Sequence, residues 1–213
     1  MNRPSILLLM PTARSLTHLL YLHGFRSSPQ SAKARLLAQH MATQHPAVHC
    51  WCPQLPPSPR EAMALLLQGS KDWPRASMAV VGSSLGGFYA TNIAEQTGCK
   101  AVLLNPAVNP ARDLEKYIGE QSCWQDPQEK FFFKPEFVQE LRDLSCGALT
   151  QPERYLAIIA KGDELLDWRE SLVRYAGAHI RLLPGSDHGL SDFALHVPAV
   201  MAFLGLPQAN SDF

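Results

Sequence analysis

The chain has 213 residues, with 19 basic and 19 acidic side chains and a formal net charge of zero. Its length fits one domain, and a hydrophobic share of 46% is enough for one sizeable core. No Lys/Arg run is dense enough to suggest nucleic acid as a partner, because that binding rests on concentrated basic charge.

The first apolar run, Ile6-Leu7-Leu8-Leu9-Met10, stops at Pro11 and is shorter than the ~7–15 residues of a secretory core segment. No stretch approaches the ~20 apolar residues of a membrane span. A soluble, cytoplasmic protein without a membrane partner is expected. Residues 1–16 read as an N-terminal extension that can be disordered, 17–207 as a single domain and 208–213 as a C-terminal tail. Either Met1 or Met10 can be the start.

Thr17–His23 is the first predicted strand, and a helix over Ser31–Gln44 follows with Leu36, Leu37 and Met41 at helical spacing. A strand over Val48–Cys52 leads through the Pro-rich connection Pro53–Pro59 to a second helix. That helix opens at Ser58-Pro59-Arg60-Glu61, a capping box with proline in the first turn. The strand Met78–Gly82, the helix Leu85–Thr97 and the strand Lys100–Asn105 come next.

Pro106–Leu149 interrupts this alternation and carries Trp124, Phe131-Phe132-Phe133 and a helix over Pro135–Leu144. It reads either as a small cap-like region walling an acyl site or as aromatic packing for the core. The strand Tyr155–Ala160, a helix over Leu165–Tyr175 and the strand His179–Leu183 complete the pattern. A last helix ends at Leu204 before a Gly205 cap, with Pro198 either kinking it or marking its first turn. Nearly continuous apolar strands separated by helices predict an α/β fold. Its sheet would be mostly parallel and doubly wound, with about six to seven strands and helices on both faces.

The five cysteines, Cys50, Cys52, Cys99, Cys123 and Cys146, are odd in number and follow no secretory signal, which disfavours a disulfide framework. Cys50 and Cys52 lie near His45 and His49, yet a C-x-C inside an apolar strand lacks the usual ligand loops, so no metal is expected.

The chemistry centres on Gly82-Ser83-Ser84-Leu85-Gly86. A G-x-S-x-G between an apolar strand and an amphipathic helix is the context of a nucleophile elbow, where the serine sits in a sharp, strained turn. Such a hydroxyl needs a base and an orienting acid, in the chain order serine, acid, histidine. Asp163 follows the strand Tyr155–Ala160, with Glu164 and Asp167 as neighbouring carboxylates, and His188 follows His179–Leu183. Asp163 is favoured because it stands first after the strand and the Gly162 turn. Asp167 better suits a helix N-terminus. The oxyanion donors would be the Leu85 amide and the Phe25 amide of His23-Gly24-Phe25, while His23 itself would hold the loop. Gly24, Asn105, Trp124 and Phe132 are candidate substrate-binding residues. Together these features predict an α/β-hydrolase fold.

The segments Leu22-His23-Gly24-Phe25, Ser27-Ser28-Pro29-Gln30-Ser31-Ala32-Lys33, Pro53-Gln54-Leu55-Pro56-Pro57 and Val81–Thr91 resemble the small bacterial YqiA-type esterases of the α/β-hydrolase superfamily. The likeness continues through Asn105-Pro106-Ala107-Val108, Gly162–Asp167 and Phe203-Leu204-Gly205-Leu206. It implies an esterase with Ser84, Asp163 and His188 as its triad and no metal or organic cofactor. Two departures stand out: residues 1–16 extend beyond the family's usual start, and Trp124–Lys134 diverges. The expected partner is a small-molecule ester, with acyl thioesters included. The same triad would serve an amidase or peptidase, and a non-catalytic binding protein is the alternative of a different class. The oligomeric state is not read from these residues.

Overall fold

A computed structural model describes residues 15–206, so the extension before residue 15 and the tail after 206 lie outside the described residues. The elements run β1 (His18–Leu22), α1 (Ala32–Gln44), β2 (His49–Trp51), α2 (Pro59–Gly69), β3 (Met78–Ser83), α3 (Leu85–Thr97) and β4 (Lys100–Leu104). After them come α4 (Pro110–Leu114), β5 (Gly119–Ser122), β6 (Lys130–Phe133), α5 (Pro135–Asp143), β7 (Tyr155–Ala160), α6 (Trp168–Arg174), β8 (His179–Leu183) and α7 (Val197–Leu204).

Six strands form one sheet in the order β2-β1-β3-β4-β7-β8, and every pairing in it is parallel. Strands of this kind must be apolar on both faces, because helices cover both. Alternate residues of the central strands divide accordingly. Leu20, Leu22, Val80, Leu103, Ala157 and Ile159 pack with α2, α3 and α5. Leu19, Tyr21, Val81, Leu104, Ile158 and Ala160 pack with α1 and α7. The chain moves from β1 outward to β2, then returns to β3 on the other side of β1. The loops after β1 and β3 therefore part at their carboxyl ends, and this opening is where doubly wound sheets bind ligands.

The region after β4 is short helices around a two-stranded antiparallel hairpin, β5–β6, with Gly119 opposite Phe133 and Gln121 opposite Phe131. Strand alternation splits the phenylalanine run. Phe133 is buried in the core, while Phe132 is 57% exposed. Phe131 and Phe133 both pack edge-on against Phe25. Phe133 thus packs into the core, Phe131 lines a second cavity beside Gly24, Phe25 and Leu85, and Phe132, expected at the substrate, faces solvent.

Two helix starts differ from expectation. Helix α6 begins at Trp168, not near Leu165, because Asp167 is its N-cap and accepts from the Arg169 amide. At α2 the Ser58 hydroxyl accepts from the Glu61 amide at 3.2 Å, as a capping box requires. A second carboxylate, Glu140 on α5, braces the same helix start by accepting from the Ser58 hydroxyl at 2.6 Å and the Arg60 amide at 3.1 Å. Pro198 lies in the first turn of α7, and Gly205 closes that helix at φ 79°, in the left-handed region. Among the described residues no helix is long and apolar enough to cross a membrane, and no group of three or more His, Cys, Asp or Glu side chains is placed to hold a metal ion.

Candidate active site

Ser84 stands between the end of β3 and the start of α3 with φ 55° and ψ −120°. A side chain other than glycine is strained at positive φ, and the surrounding contacts must hold it there. The Ser84 amide donates to the Leu104 carbonyl at 2.9 Å, and its own carbonyl accepts from Gly87 at 2.8 Å and Ala107 at 3.0 Å. The glycines of the motif follow from crowding. A Cβ on Gly82 would overlap the Gly86 backbone, and one on Gly86 would overlap the Leu22 carbonyl.

His188 reaches this serine from the loop after β8. Its Nδ1 lies 2.9 Å from both carboxylate oxygens of Asp163, and its Nε2 lies 3.0 Å from Ser84 Oγ. A carboxylate can only accept, so Nδ1 carries the proton and Nε2 is left to accept from the Ser84 hydroxyl. The Asp163 side chain is only 3% exposed. Its Oδ1 also accepts from the Leu165 and Leu166 amides, each at 2.9 Å, which fixes the carboxylate's direction. Asp167 caps α6, where the Arg169 amide holds its carboxyl below the usual range. Of the neighbouring acids, Asp163 is the one that meets the histidine ring. Glu164 accepts from the His188 backbone amide at 3.0 Å, a loop-holding role that sequence did not reveal.

Asn105, expected at the substrate, is turned inward. Its side chain accepts from the Ala160 amide at 2.8 Å and donates to the carbonyls of Asp187 at 2.9 Å and His188 at 3.1 Å. All of its hydrogen-bonding groups serve the framework. Asn105 ties the ends of β4 and β7 to the histidine loop and does not line the cavity described below.

His23, at the end of β1, is buried. Its Nδ1 donates to the Gly24 carbonyl at 2.9 Å and its Nε2 accepts from the Leu55 amide at 3.1 Å. Both partners fix the neutral tautomer, and burial lowers the pKa of the ring. This bracing sets the path of the loop that follows. Gly24 then passes so close to Ser84 that an added Cβ would come within 3.1 Å of the Ser84 Cβ. Phe25 follows Gly24 and Leu85 follows Ser84 along the chain, and neither backbone amide has an acceptor among the described residues.

The model of the family described as Uncharacterised protein family (UPF0227) matches residues 18–205. The chain belongs to that family. Solved structures similar to this UPF0227 chain include a protein of Agrobacterium vitis S4, with TM-score 0.71 and 17% identity over 90% of this chain and 91% of that one. Mouse alpha/beta hydrolase domain-containing protein 10 aligns with TM-score 0.64 and 14% identity over 88% of this chain and 90% of its own. Est1E from Butyrivibrio proteoclasticus, solved with ferulic acid bound, gives TM-score 0.65 and 13% identity over 89% and 88%. The fold is that of the α/β hydrolases.

In this UPF0227 chain Ser84 opens into a cavity of about 470 Å³. The outer rim carries Trp124, 63% exposed, whose ring lies under the Arg26 guanidinium at 4.0 Å. Arg26 also donates to the Ser122 carbonyl at 2.9 Å and accepts from the Trp124 amide at 2.7 Å through its own carbonyl. The β5–β6 hairpin is thereby pinned to the loop after β1. Lys33, which sequence did not single out, enters the same cavity from α1.

Proposed function

We propose that the protein is a serine hydrolase that cleaves carboxylic esters, acyl thioesters included, through an acyl-Ser84 intermediate. The observation that carries this reading is the continuous hydrogen-bonded chain from Asp163 through His188 to a strained Ser84 that faces a cavity. A serine hydroxyl is a weak nucleophile unless a base takes its proton as it attacks. His188 Nε2 takes that proton, Ser84 Oγ bonds to the acyl carbon, and the carbonyl oxygen becomes negative. The Leu85 and Phe25 amides then donate to this oxygen, helped by the N-terminus of α3. Asp163 holds the imidazole and stabilises its charged form.

The tetrahedral intermediate collapses as His188 returns the proton to the leaving alcohol or thiol. A water molecule repeats the sequence, losing its proton to His188 and releasing the carboxylic acid as Ser84 recovers its hydrogen. No cofactor takes part in these steps. Gly24 belongs to the substrate-facing wall because any larger residue would crowd Ser84, and Trp124 belongs to the entrance.

The test is turnover of a chain-length series of nitrophenyl esters by wild type and Ser84→Ala, with fluorophosphonate labelling of both. Wild type should hydrolyse the esters and take the label on Ser84. Equal background rates and no label would remove the esterase reading. Cleavage of the matching anilides, with esters untouched, would replace it by an amidase.

A further inference from the structure

The cavity that holds Ser84 is also lined by the first turn of α1. Tyr21 from β1, Ser83 from β3, and Ser31, Ala32 and Lys33 from the start of α1 share its wall with Ser84. Tyr21 is only 5% exposed, and its hydroxyl has no hydrogen-bond partner. The Ser31 and Ser83 hydroxyls stand near enough to offset part of the upward push of burial on the phenol, yet neither pairs with it. Buried hydroxyls are nearly always satisfied, so an unpaired one on a residue that lines a cavity marks a place where a polar group can be taken up.

The other groups around that hydroxyl share its polarity. No side chain caps α1, and its first turn holds no acidic residue. A 13-residue helix therefore presents bare amides and the positive end of its dipole at this point. The Lys33 ammonium donates to the Gly189 carbonyl and has no carboxylate at ion-pair distance among the described residues. Burial lowers the pKa of Lys33, while Asp187 and Asp163 act on it from farther away and favour its charge. Donors converge here, and one ammonium balances one negative charge.

We propose that this recess binds a carboxylate carried by the ester substrate, held between Lys33, the Tyr21 hydroxyl and the amino end of α1 while the scissile carbonyl lies at Ser84. The proposal rests on the esterase reading and names its substrate class as esters bearing a free carboxylate. A carboxylate suits the site better than a phosphate dianion, which would concentrate two charges on one group close to Asp163 and Asp187, whereas the far carboxylate of a short dicarboxylate lies several bonds away. Lys116 also lines the cavity, but from the insertion after β4.

Matched ester pairs test this. Monomethyl glutarate against methyl pentanoate places the carboxylate on the acyl side, and 3-(butyryloxy)benzoate against phenyl butyrate places it on the leaving group. In one pair wild type should favour the charged member in kcat/KM by about tenfold or more, the scale of a charge-assisted hydrogen bond. Lys33→Met should lower that charged-to-neutral ratio by about tenfold, and Tyr21→Phe by roughly threefold. No preference in either pair, or a ratio that follows Lys116→Met instead, would overturn the proposal.

Calorimetric titration with glutarate separates this from the esterase question. Glutarate should bind wild type and bind Lys33→Met at least about tenfold more weakly. If no ester is turned over and Ser84 takes no fluorophosphonate, the esterase reading fails, and the glutarate titration still decides the recess. Tighter binding of inorganic phosphate than of glutarate, or equal glutarate binding by Lys33→Met, would refute a carboxylate site.

Discussion

Asn105 Nδ2 donates to the backbone carbonyl of His188 at 3.1 Å, so an amide at the end of β4 sets where the candidate base stands. The same nitrogen holds the Asp187 carbonyl, and the Asn105 carbonyl oxygen takes the Ala160 amide just before the turn that carries Asp163. One side chain thereby spaces the acid-bearing loop against the base-bearing loop. Asn105→Asp keeps the shape but sets a carboxylate oxygen against two carbonyls. Unfolding free energy should fall by about 1–3 kcal/mol, the cost of leaving buried polar groups unpaired. Nitrophenyl butyrate turnover should drop on the order of tenfold to a hundredfold, because small misplacements of a reacting group are costly. Chemical denaturation and steady-state rates on the same preparation check both outcomes.

The acid can be assigned by a paired comparison. Asp163→Asn removes the charge facing His188 Nδ1 and permits the wrong tautomer, a change that costs around 10⁴-fold in the serine-protease precedent. Asp167→Asn keeps an N-cap residue on α6 and touches no part of the Ser84–His188 line. Its rate should stay close to that of wild type, since asparagine caps helices about as well as aspartate. A larger loss at 167 than at 163 in kcat would reverse the assignment.

Much of this arrangement was legible along the chain. Tyr155–Ala160 was readable as a strand to the residue, because an unbroken apolar run in an α/β chain has to be covered on both faces. Ser84 was legible because the glycines at 82 and 86 are required by contacts within a few residues of it and with the neighbouring β1. Asn105 was not, since its partners lie at 160, 187 and 188 and nothing local shows which way an amide turns. Lys33 was hidden for the same reason, as a lysine in a first helical turn normally points to water. The phenylalanine run carried two readings, and hairpin alternation divided it, burying Phe133 and exposing Phe132.

His23 gives a pH dependence of folding. Burial lowers its pKa from the ordinary value of 6.5, so the folded state binds fewer protons than the unfolded chain below that pH. Its contribution is fully present above 6.5 and is lost as pH falls through the lowered folded value. Protonation would also set Nε2–H against the Leu55 amide that now donates to it. Thermal melts of wild type between pH 8 and pH 5 should show Tm declining in the lower half of that range. His23→Gln should start lower and follow a flatter curve, and parallel curves would exclude His23 as the group responsible.

Tyr21 carries a stability cost that its replacement should reveal. The ring packs among Leu19, Val81 and Leu37 in the layer under α1, and only its hydroxyl lacks a partner. Tyr21→Phe keeps the ring and removes the orphan oxygen. An unsatisfied buried hydroxyl costs about 1–3 kcal/mol, so the variant should be more stable by up to that amount. For a chain of this size that is a rise of a few degrees in Tm. Adding glutarate should narrow the difference, because a ligand that binds only the folded wild type stabilises it by mass action. Stability gained in Tyr21→Phe together with a lower preference for carboxylate-bearing esters would tie the orphan hydroxyl to substrate choice, since native proteins commonly hold binding groups at the expense of stability. A less stable variant would mean instead that the hydroxyl is satisfied in solution, and the recess would lose its strongest support.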